Sequence, residues 1–480
     1  MENSARLKPL LSLTWLASLY LAGAVLWGLF FNWGVFPMGF HDWANISAPR
    51  LTFLKEAITQ GKLPLHTSDE ASLGGVTDRF LSIPDQILSP QILFLRVMSV
   101  SRFAFLNVVL LYSIGFLGLL WLQRKFSLTG VPFLILFALF NFNGHILAHL
   151  SVGHATWGGY FLFPWFATLV FRLVEGERGW GWIAKMAILL FSMFLQGSFH
   201  QFVWALLFLA LLAIVRRDYF LTVIGGAGFA ILLSLVRILP PAMLAGRFDV
   251  AFYGGYPSLA RLWEALITVY PPATRAAAQG MPVALGYWEF SLYIGLAGAG
   301  FLLFFGVWRW LRRTESEQAF HELFLPITGL VALSIGLVYG IVRLIPIPLL
   351  AGERVSSRMI SLPFIFILIL AVIEFQRWLD KPHANIWLVR IPCWALLLVG
   401  LHDLWLNFNV WTVSNVASLY TLVHYESGHV VNHPDPAYYT VIGLGAALSS
   451  ISLGVLIFFV WREGRFRFPT FSDKRMATNS

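Results

Sequence analysis

Residues 10–31 read LLSLTWLASLYLAGAVLWGLFF, an apolar run long enough to cross a hydrocarbon layer of about 30 Å as one helix. Arg6 and Lys8 precede this run, and basic residues collect on the cytoplasmic side of membrane helices. The run also lacks the small-residue cleavage site of a removable signal peptide. We therefore predict a first membrane span with a cytoplasmic amino terminus.

The composition of the whole chain places it in the same class. Hydrophobic residues make up 58% of the chain, charged residues 12%, and the mean hydropathy is +0.73. These values predict an all-α integral membrane protein. About twelve apolar spans are expected, at 10–31, 103–122, 131–147, 157–171, 182–196, 202–215, 220–239, 288–308, 324–341, 359–375, 386–404 and 438–460.

The basic residues set the predicted topology. If the spans alternate in direction, every short inside segment carries Arg or Lys, including Arg124-Lys125, Arg216-Arg217 and Arg312-Arg313. The net charge of +9 is therefore attributed to topology and not to nucleic-acid binding. Residues 1–461 form one transmembrane domain, and residues 462–480 form a basic cytoplasmic tail. The larger loops lie outside, at about 32–100, 240–287, 342–357 and 405–437.

The first outside loop is long for a connection and carries two predicted interfacial helices. Ser47 is expected to cap the first helix and Gly61 to end it, with apolar residues such as Leu51 and Leu54 on one face. The second begins at Pro84, and a turn at Gly74-Gly75 separates the two helices.

Asp42 is the predicted general base. It follows the first span and adjoins Trp43, where an aromatic membrane interface can raise the pKa of a carboxylate. An ordinary solvated loop aspartate is the alternative. Asp78 and Asp85 are further candidates, as second carboxylates or metal ligands.

Three arginines are candidates for binding a phosphate group. Arg354 and Arg358 are spaced to share a face at the outer end of the tenth span, where a helix amino terminus also favours an anion. Arg237 lies one turn inside the outer end of the seventh span. Snorkelling of these side chains to lipid headgroups is the alternative.

Three histidines form a candidate metal site. His145 and His149 have helical i, i+4 spacing, and His154 follows near the next turn. Because no carboxylate lies in this segment, polar groups lining a cavity are the competing interpretation. The single cysteine, Cys393, offers neither an internal disulfide nor a metal-ligand spacing.

Several short motifs resemble the GT-C superfamily of polytopic glycosyltransferases, and more narrowly its YfhO-like branch. In the first loop the similar elements are Asp42, Gly61-Lys62-Leu63-Pro64, Leu73-Gly74-Gly75 and Ser89-Pro90. Further along the chain they are His145, His149, Pro164-Trp165, Trp288-Glu289, Tyr293-Ile294-Gly295, Arg354 and Arg358. The chain departs from the family after Leu63-Pro64, where relatives often carry Trp-Asn-Pro and this chain has Leu65-His66-Thr67.

The resemblance implies inverting transfer of a sugar from a polyprenyl-phosphate donor to a glycan, lipid or protein acceptor on the extracytoplasmic face. Asp42 is then the general base, and His41 and Glu289 are candidate substrate contacts. A divalent metal is a candidate cofactor. The expected location is the bacterial inner membrane, with both termini cytoplasmic. A transporter or flippase of lipid-linked sugar, with Arg237, His402 and Asp403 lining a pathway, and a non-catalytic scaffold are the alternatives.

Overall fold

The computed structural model describes residues 11–68, 78–83, 88–244, 251–275, 277, 285–314, 320–345, 352–382 and 386–464. Within these ranges the chain is helical, and extended backbone pairing is limited to isolated bridges. The α-helices are α1 (Leu13–Phe30), α2 (Ala48–Gln60), α3 (Val100–Lys125), α4 (Gly130–Phe142), α5 (Gly144–Ser151), α6 (Phe163–Val174), α7 (Trp180–Leu195), α8 (Phe199–Val215), α9 (Phe220–Leu233), α10 (Leu235–Ala242), α11 (Leu259–Ile267), α12 (Gly295–Phe301), α13 (Phe324–Ser334), α14 (Gly336–Val342), α15 (Ser361–Leu379), α16 (Ile386–Val410), α17 (Val413–Ala417) and α18 (Pro436–Arg462).

Seven of the described helical segments are long and apolar enough to cross a membrane, or eight if α9 and α10, bent by 68°, form one span. Four shorter apolar helices lie where other spans are predicted, at Trp180–Leu195, Phe199–Val215, Gly295–Arg309 and His321–Ser334. At 1.5 Å per residue these helices are shorter than a hydrocarbon layer of about 30 Å. The all-α membrane class therefore follows from the structure, whereas the count of about twelve spans stays a prediction.

Ion pairs lie at two ends of the helices. The segment Ser356–Leu379 carries Arg358 near its start and Glu374 near its end, which places these residues about 24 Å apart along a straight helix. Glu374 joins Arg313 and Arg377 at one end, and Arg358 joins Glu289 at the other. Ion pairs at the two ends of a membrane helix lie near the two bilayer surfaces, and this avoids the high cost of a charge at mid-depth.

The first predicted loop helix is present as α2, and Gly61 ends it in the left-handed conformation at φ +65°. The cap prediction for Ser47 is wrong, because the helix already begins at His41 and passes through a π-helical turn at Trp43–Ser47. The Ser47 hydroxyl instead donates to the Gly153 carbonyl at 2.6 Å.

The apolar face of α2 packs inside the protein. Leu51, Phe53 and Leu54 are buried, and the Phe53 and Phe80 rings lie 4.3 Å apart. The expected position of this face in the membrane interface is therefore not observed. Other parts of the first loop cover the apolar face of α2, and the buried side chains of this face therefore form part of the hydrophobic core.

The second predicted loop helix is described only in part. Residues 84–87, which include Asp85, lie outside the described ranges, as do the predicted turn at Gly74-Gly75 and most of the tail. The described portion forms a 3₁₀ turn at Pro90–Arg96 with Leu95 buried. An extended amphipathic α-helix is therefore absent from residues 88–99.

The first loop is bonded to the chain before α18 and to α10. Arg79 donates to both carboxylate oxygens of Asp435, at 2.8 and 3.0 Å, and His66 Nε2 lies 3.2 Å from the same group. Partial burial opposes ionisation, but these hydrogen bonds lower the pKa of Asp435 to about 2. Arg237 is buried and donates to the carbonyls of Leu81 and Ile83. These hydrogen bonds from Arg237 connect the first loop to α10.

Candidate functional site

Asp42 lies in the first turn of the helix that continues into α2. The preceding residue, His41, has a φ of +45°, a conformation that a non-glycine residue seldom adopts. The π-helical turn at Trp43–Ser47 follows directly. Backbone strain and π-helical turns both concentrate at functional sites, where the surrounding structure holds them in place.

Three hydrogen bonds hold this helix start against the turn that follows α5. The His41 Nδ1 atom lies 3.2 Å from the Val152 carbonyl oxygen. Trp43 Nε1 donates to the Ser151 carbonyl at 3.1 Å, in addition to the bond from Ser47 to Gly153. The two chain segments therefore form one rigid support for Asp42.

A chain of hydrogen bonds runs inward from Asp42. Its Oδ2 atom lies 2.8 Å from Nε2 of His154, and Nδ1 of His154 lies 2.6 Å from Nδ1 of His149. Since an ionised carboxylate only accepts, His154 Nε2 carries a proton. The far nitrogen of His149, Nε2, is buried and has no hydrogen-bond partner among the described residues. The arrangement joins a partly exposed carboxylate to a buried imidazole through one intervening ring.

Trp157 is the centre of the surrounding aromatic cluster. Its ring stacks on His149 with centroids 4.3 Å apart, and its indole N–H donates to Nε2 of His145 at 3.0 Å. His145 is therefore an acceptor at Nε2 and carries its proton at Nδ1 when neutral. The Arg358 guanidinium lies 5.1 Å from the Trp157 ring centroid, within cation–π range.

Arg358 is held by acidic partners. Its guanidinium binds Glu289 through two parallel hydrogen bonds of 2.6 Å each, and its Nη1 lies 3.9 Å from Glu353. Glu353 in turn accepts from Trp204 at 3.1 Å and lies 2.9 Å from His200 Nδ1. Both glutamates are buried. The guanidinium is thus fixed in position and largely neutralised by its partners.

The pKa of Asp42 is lower than expected from the sequence. Burial by itself would raise the pKa of this carboxyl group, but the hydrogen bond and charge of His154, together with His41 and Arg358, hold it below its usual value. The expectation of a raised pKa is therefore wrong, because the aromatic surroundings come with cationic partners. Burial also lowers the pKa of His41.

Glu289 is the charged partner of Arg358. Its carboxylate is buried, and the two hydrogen bonds from the Arg358 guanidinium compensate its negative charge. Asp42 is ionised at neutral pH, because its pKa is lowered. The two carboxylates and Arg358 form a single electrostatic group, since Arg358 also acts on Asp42.

The predicted pairing of Arg354 with Arg358 on one helix face is wrong. Residues 353–355 are not helical, and Arg358 lies in a 3₁₀ turn at Ser356–Ile360 before α15. Arg354 is exposed, its guanidinium 4.5 Å from the Tyr253 ring centroid and hydrogen-bonded to the Tyr253 hydroxyl. The two arginines therefore have different environments.

The other predicted residues separate into two places. His145, His149, His154 and Glu289 join the Asp42 cluster, whereas Asp78 lies with His433, at 2.5 Å. Among the described residues, the one group of three with ligand atoms within 4.8 Å of one another is His66, Asp78 and His433. The three histidines predicted as metal ligands do not form such a group, and two of them, His149 and His154, are hydrogen-bonded to each other.

Sequence reasoning missed how several members of the cluster are paired. His154 is the direct partner of Asp42, and His200, Trp204 and Glu353 extend the network around Arg358. Glu353 adjoins Arg354 in the sequence, but its carboxylate contacts His200 and Trp204. These contacts carry no local sequence pattern, because they join segments far apart in the chain.

Gly153 is the position at which the site can be disturbed through the backbone. Its φ is +102°, and an added Cβ would lie 2.2 Å from the Trp43 nitrogen. We expect Gly153→Ala to reduce the free energy of unfolding by about 2–4 kcal/mol, from backbone strain and overpacking together. Denaturant unfolding of the purified protein measures this loss.

Gly176→Ala is the matched control for that substitution. Gly176 has a similar φ of +99°, but an added Cβ would meet nothing within 4 Å. Gly176→Ala is therefore expected to reduce the free energy of unfolding by about 1–2 kcal/mol, the cost of the backbone strain alone. Equal losses for the two variants would contradict close packing between Gly153 and the helix that carries Asp42.

Comparisons of the chain with models of protein families, with curated proteins and with solved structures find no match. The class is therefore given by the fold: an α-helical membrane protein with seven or eight helices of spanning length among its described residues. Its candidate site is a partly exposed cluster of carboxylates, histidines and one arginine at one end of these helices.

Proposed function

We propose that this protein is a GT-C-like glycosyltransferase of about twelve spans that uses a polyprenyl-phosphate sugar as donor. The acceptor is a glycan, lipid or protein on the extracytoplasmic face of a bacterial inner membrane. The proposal rests on the resemblance of its motifs to that superfamily and on the geometry around Asp42. The observation that carries it is the hydrogen bond of 2.8 Å from His154 to Asp42, in a cluster that also holds Arg358.

In the proposed reaction the ionised Asp42 accepts a proton from the acceptor hydroxyl. The hydroxyl oxygen forms a bond to the anomeric carbon, the bond from that carbon to the phosphate oxygen breaks, and polyprenyl phosphate leaves with the electron pair. A general base of this kind needs one carboxylate oxygen within reach of the substrate. Asp42 is suited to the role because its side chain is 23% exposed while His154 holds its Oδ2 atom.

The leaving phosphate is assigned to Arg354. This guanidinium is exposed beside Tyr253, and it retains hydrogen-bond donors for a phosphate group. Arg358 is a positioning residue, because Glu289 already occupies it in a bidentate pair. The hydrogen bond and charge of His154 are the main cause of the lowered pKa of Asp42, and His41 and Arg358 contribute less. Arg237 is bonded to backbone carbonyls and is left out of the proposed donor site.

The proposed function is tested with the purified protein in lipid nanodiscs. Polyprenyl-phosphate pentoses and hexoses are supplied with pooled glycan, lipid and peptide acceptors, and release of free polyprenyl phosphate is measured. This readout does not depend on knowing the acceptor. Time-dependent release with at least one donor is expected, and nucleotide sugars are expected to be inactive.

The rival transport function predicts a different result. In sealed vesicles a flippase would move the intact lipid-linked sugar to the other leaflet without breaking the bond to phosphate. Movement of intact donor with no release of polyprenyl phosphate would overturn the glycosyltransferase proposal. The absence of both reactions across the donor set would favour the non-catalytic scaffold.

A further inference from the structure

A second concave site lies at the opposite end of the helix bundle from Asp42. A cavity of about 270 Å³ is lined by Arg309, Arg312, Arg313 and Lys381, together with Glu374 and two aromatic side chains. Arg313 and Arg377 both bond to Glu374. The acidic group of the cavity is therefore already engaged.

The remaining cations of the cavity have no such acidic partner in the part of the chain that the structure describes. Among the residues that the structure describes, no carboxylate forms an ion pair with Arg309, Arg312 or Lys381. The Nε atom of Arg309 is buried and makes no hydrogen bond to any described residue. Arg312 lies over the Trp308 ring, 3.8 Å from its centroid. This end of the cavity therefore presents positive charge and unused donors.

An apolar groove continues from the same cavity. Its volume is about 570 Å³, and it is lined by Gly300, Leu303, Phe304, Val307, Trp308, Leu311 and Arg312. Phe304, Trp308 and Arg312 line both spaces. The groove follows about 16 Å of helix from Gly300 to Leu311. Its walls include the exposed side chains of Leu303, Phe304 and Leu311.

The helix that forms the groove is irregular. Leu302–Arg309 is π-helical, and such turns are rare and concentrate at functional sites. On its other side this segment packs closely on α15, since a Cβ added at Gly306 would lie 2.7 Å from the Ile367 carbonyl oxygen. The groove therefore lies on the face turned away from α15, where the predicted bilayer is.

We propose that this continuous site binds an anionic phospholipid. The headgroup phosphate lies among Arg309, Arg312 and Lys381, and one acyl chain occupies the apolar groove. Charge complementarity selects an anionic lipid, and a basic pocket between membrane helices is a recognised form of such a site. By the predicted topology the lipid belongs to the cytoplasmic leaflet. The inference requires the membrane class but does not depend on the proposed glycosyl transfer.

The charge at the site is tested by native mass spectrometry of the intact protein titrated with phosphatidylglycerol and with phosphatidylcholine of the same acyl chains. Phosphatidylglycerol is expected to bind at least tenfold more tightly. Arg309→Gln combined with Arg312→Gln should weaken phosphatidylglycerol binding about twenty-five-fold, since each basic residue near a membrane surface contributes about fivefold. Arg217→Gln, at the same end but outside the cavity, should change binding less than twofold.

The groove is tested separately. A Cβ at Gly300 meets nothing within 4 Å, so Gly300→Leu is expected to fold normally and to fill part of the groove. Phosphatidylglycerol retention should fall several-fold. Gly454→Leu is the matched control, because Gly454 also lies in a helix with nothing within 4 Å of its added Cβ. The thermal unfolding temperature of each variant is measured as well, so that a loss of lipid binding can be distinguished from a loss of fold.

Several results would overturn the proposal. These are equal binding of the two phospholipids, unchanged binding in the arginine variant, and equal losses in Gly300→Leu and Gly454→Leu. Displacement of phosphatidylglycerol by a lower concentration of undecaprenyl phosphate would assign the site to an isoprenoid phosphate instead. Displacement of phosphatidylglycerol by inorganic phosphate at an equal concentration would show that the acyl chain does not contribute to binding.

Discussion

Replacing Asp42 by asparagine is expected to lower the rate of sugar transfer by about 10²–10⁴, the usual contribution of a general base. Asparagine has nearly the same shape and still accepts the hydrogen bond from His154, but its amide cannot take a proton from the acceptor. The fold and donor binding should therefore be retained. Release of polyprenyl phosphate and binding of donor, measured on the same preparation, separate these effects.

Asp403→Asn is the control for that substitution. Asp403 is also partly exposed and lies in α16, with His402 near it at 3.9 Å. It has no place in the proposed reaction but lines the pathway that the transporter alternative requires. Loss of function in Asp403→Asn with retention in Asp42→Asn would contradict the proposed role of Asp42.

The pH dependence gives a second test of Asp42. Its pKa is lowered in the folded protein, so the carboxylate stays ionised to a lower pH than an ordinary aspartate with a pKa of about 3.9. As the pH falls, activity that requires the ionised base should persist below that value. The same shift stabilises the folded state above the unfolded pKa, and this stabilisation is lost as the pH falls through the folded pKa. An acid limb above pH 5 would exclude free Asp42 as the group responsible.

Replacing Glu289 by glutamine is expected to reduce the free energy of unfolding by about 3–5 kcal/mol. The substitution removes the carboxylate that binds Arg358 through two hydrogen bonds, and it leaves a buried guanidinium with less compensation. Burial makes the loss large, because water cannot replace the missing charge. Reversible denaturant unfolding in detergent measures the change.

Two comparisons show whether burial is the cause. Glu264→Gln breaks the more exposed pair of Arg261 and Glu264 and should change stability little. Glu289→Leu combined with Arg358→Met removes both charges and should cost less than Glu289→Gln alone. A double variant less stable than the single one would contradict the assignment of the loss to an uncompensated charge.

The two substitutions also separate function from folding. Asp42 is partly exposed and has one main hydrogen-bond partner, so its replacement is expected to lower the rate of sugar transfer and to change stability little. Glu289 is buried and fixes Arg358, so its replacement acts first on stability. Because Arg358 also influences Asp42, Glu289→Gln is expected to alter the acid limb of any pH profile as well.

The sequence by itself determined the helical membrane class, the positions of the long apolar helices and the end of α2 at Gly61. These features follow from local hydropathy, side-chain periodicity and the conformational freedom of glycine, all of which are readable over a few turns. The sequence also identified Asp42, Glu289 and Arg358 as candidates, although their roles stay predictions.

Only the tertiary structure decided which of these groups meet. Asp42 and His154 are 112 residues apart, and Glu289 and Arg358 are 69 apart, so no local pattern encodes either pair. The direction of the Asp42 pKa shift, the burial of the α2 face and the separation of Arg354 from Arg358 also depend on helix packing. Burial and opposing charge act through space, and their balance is set by neighbours that only the folded chain brings together.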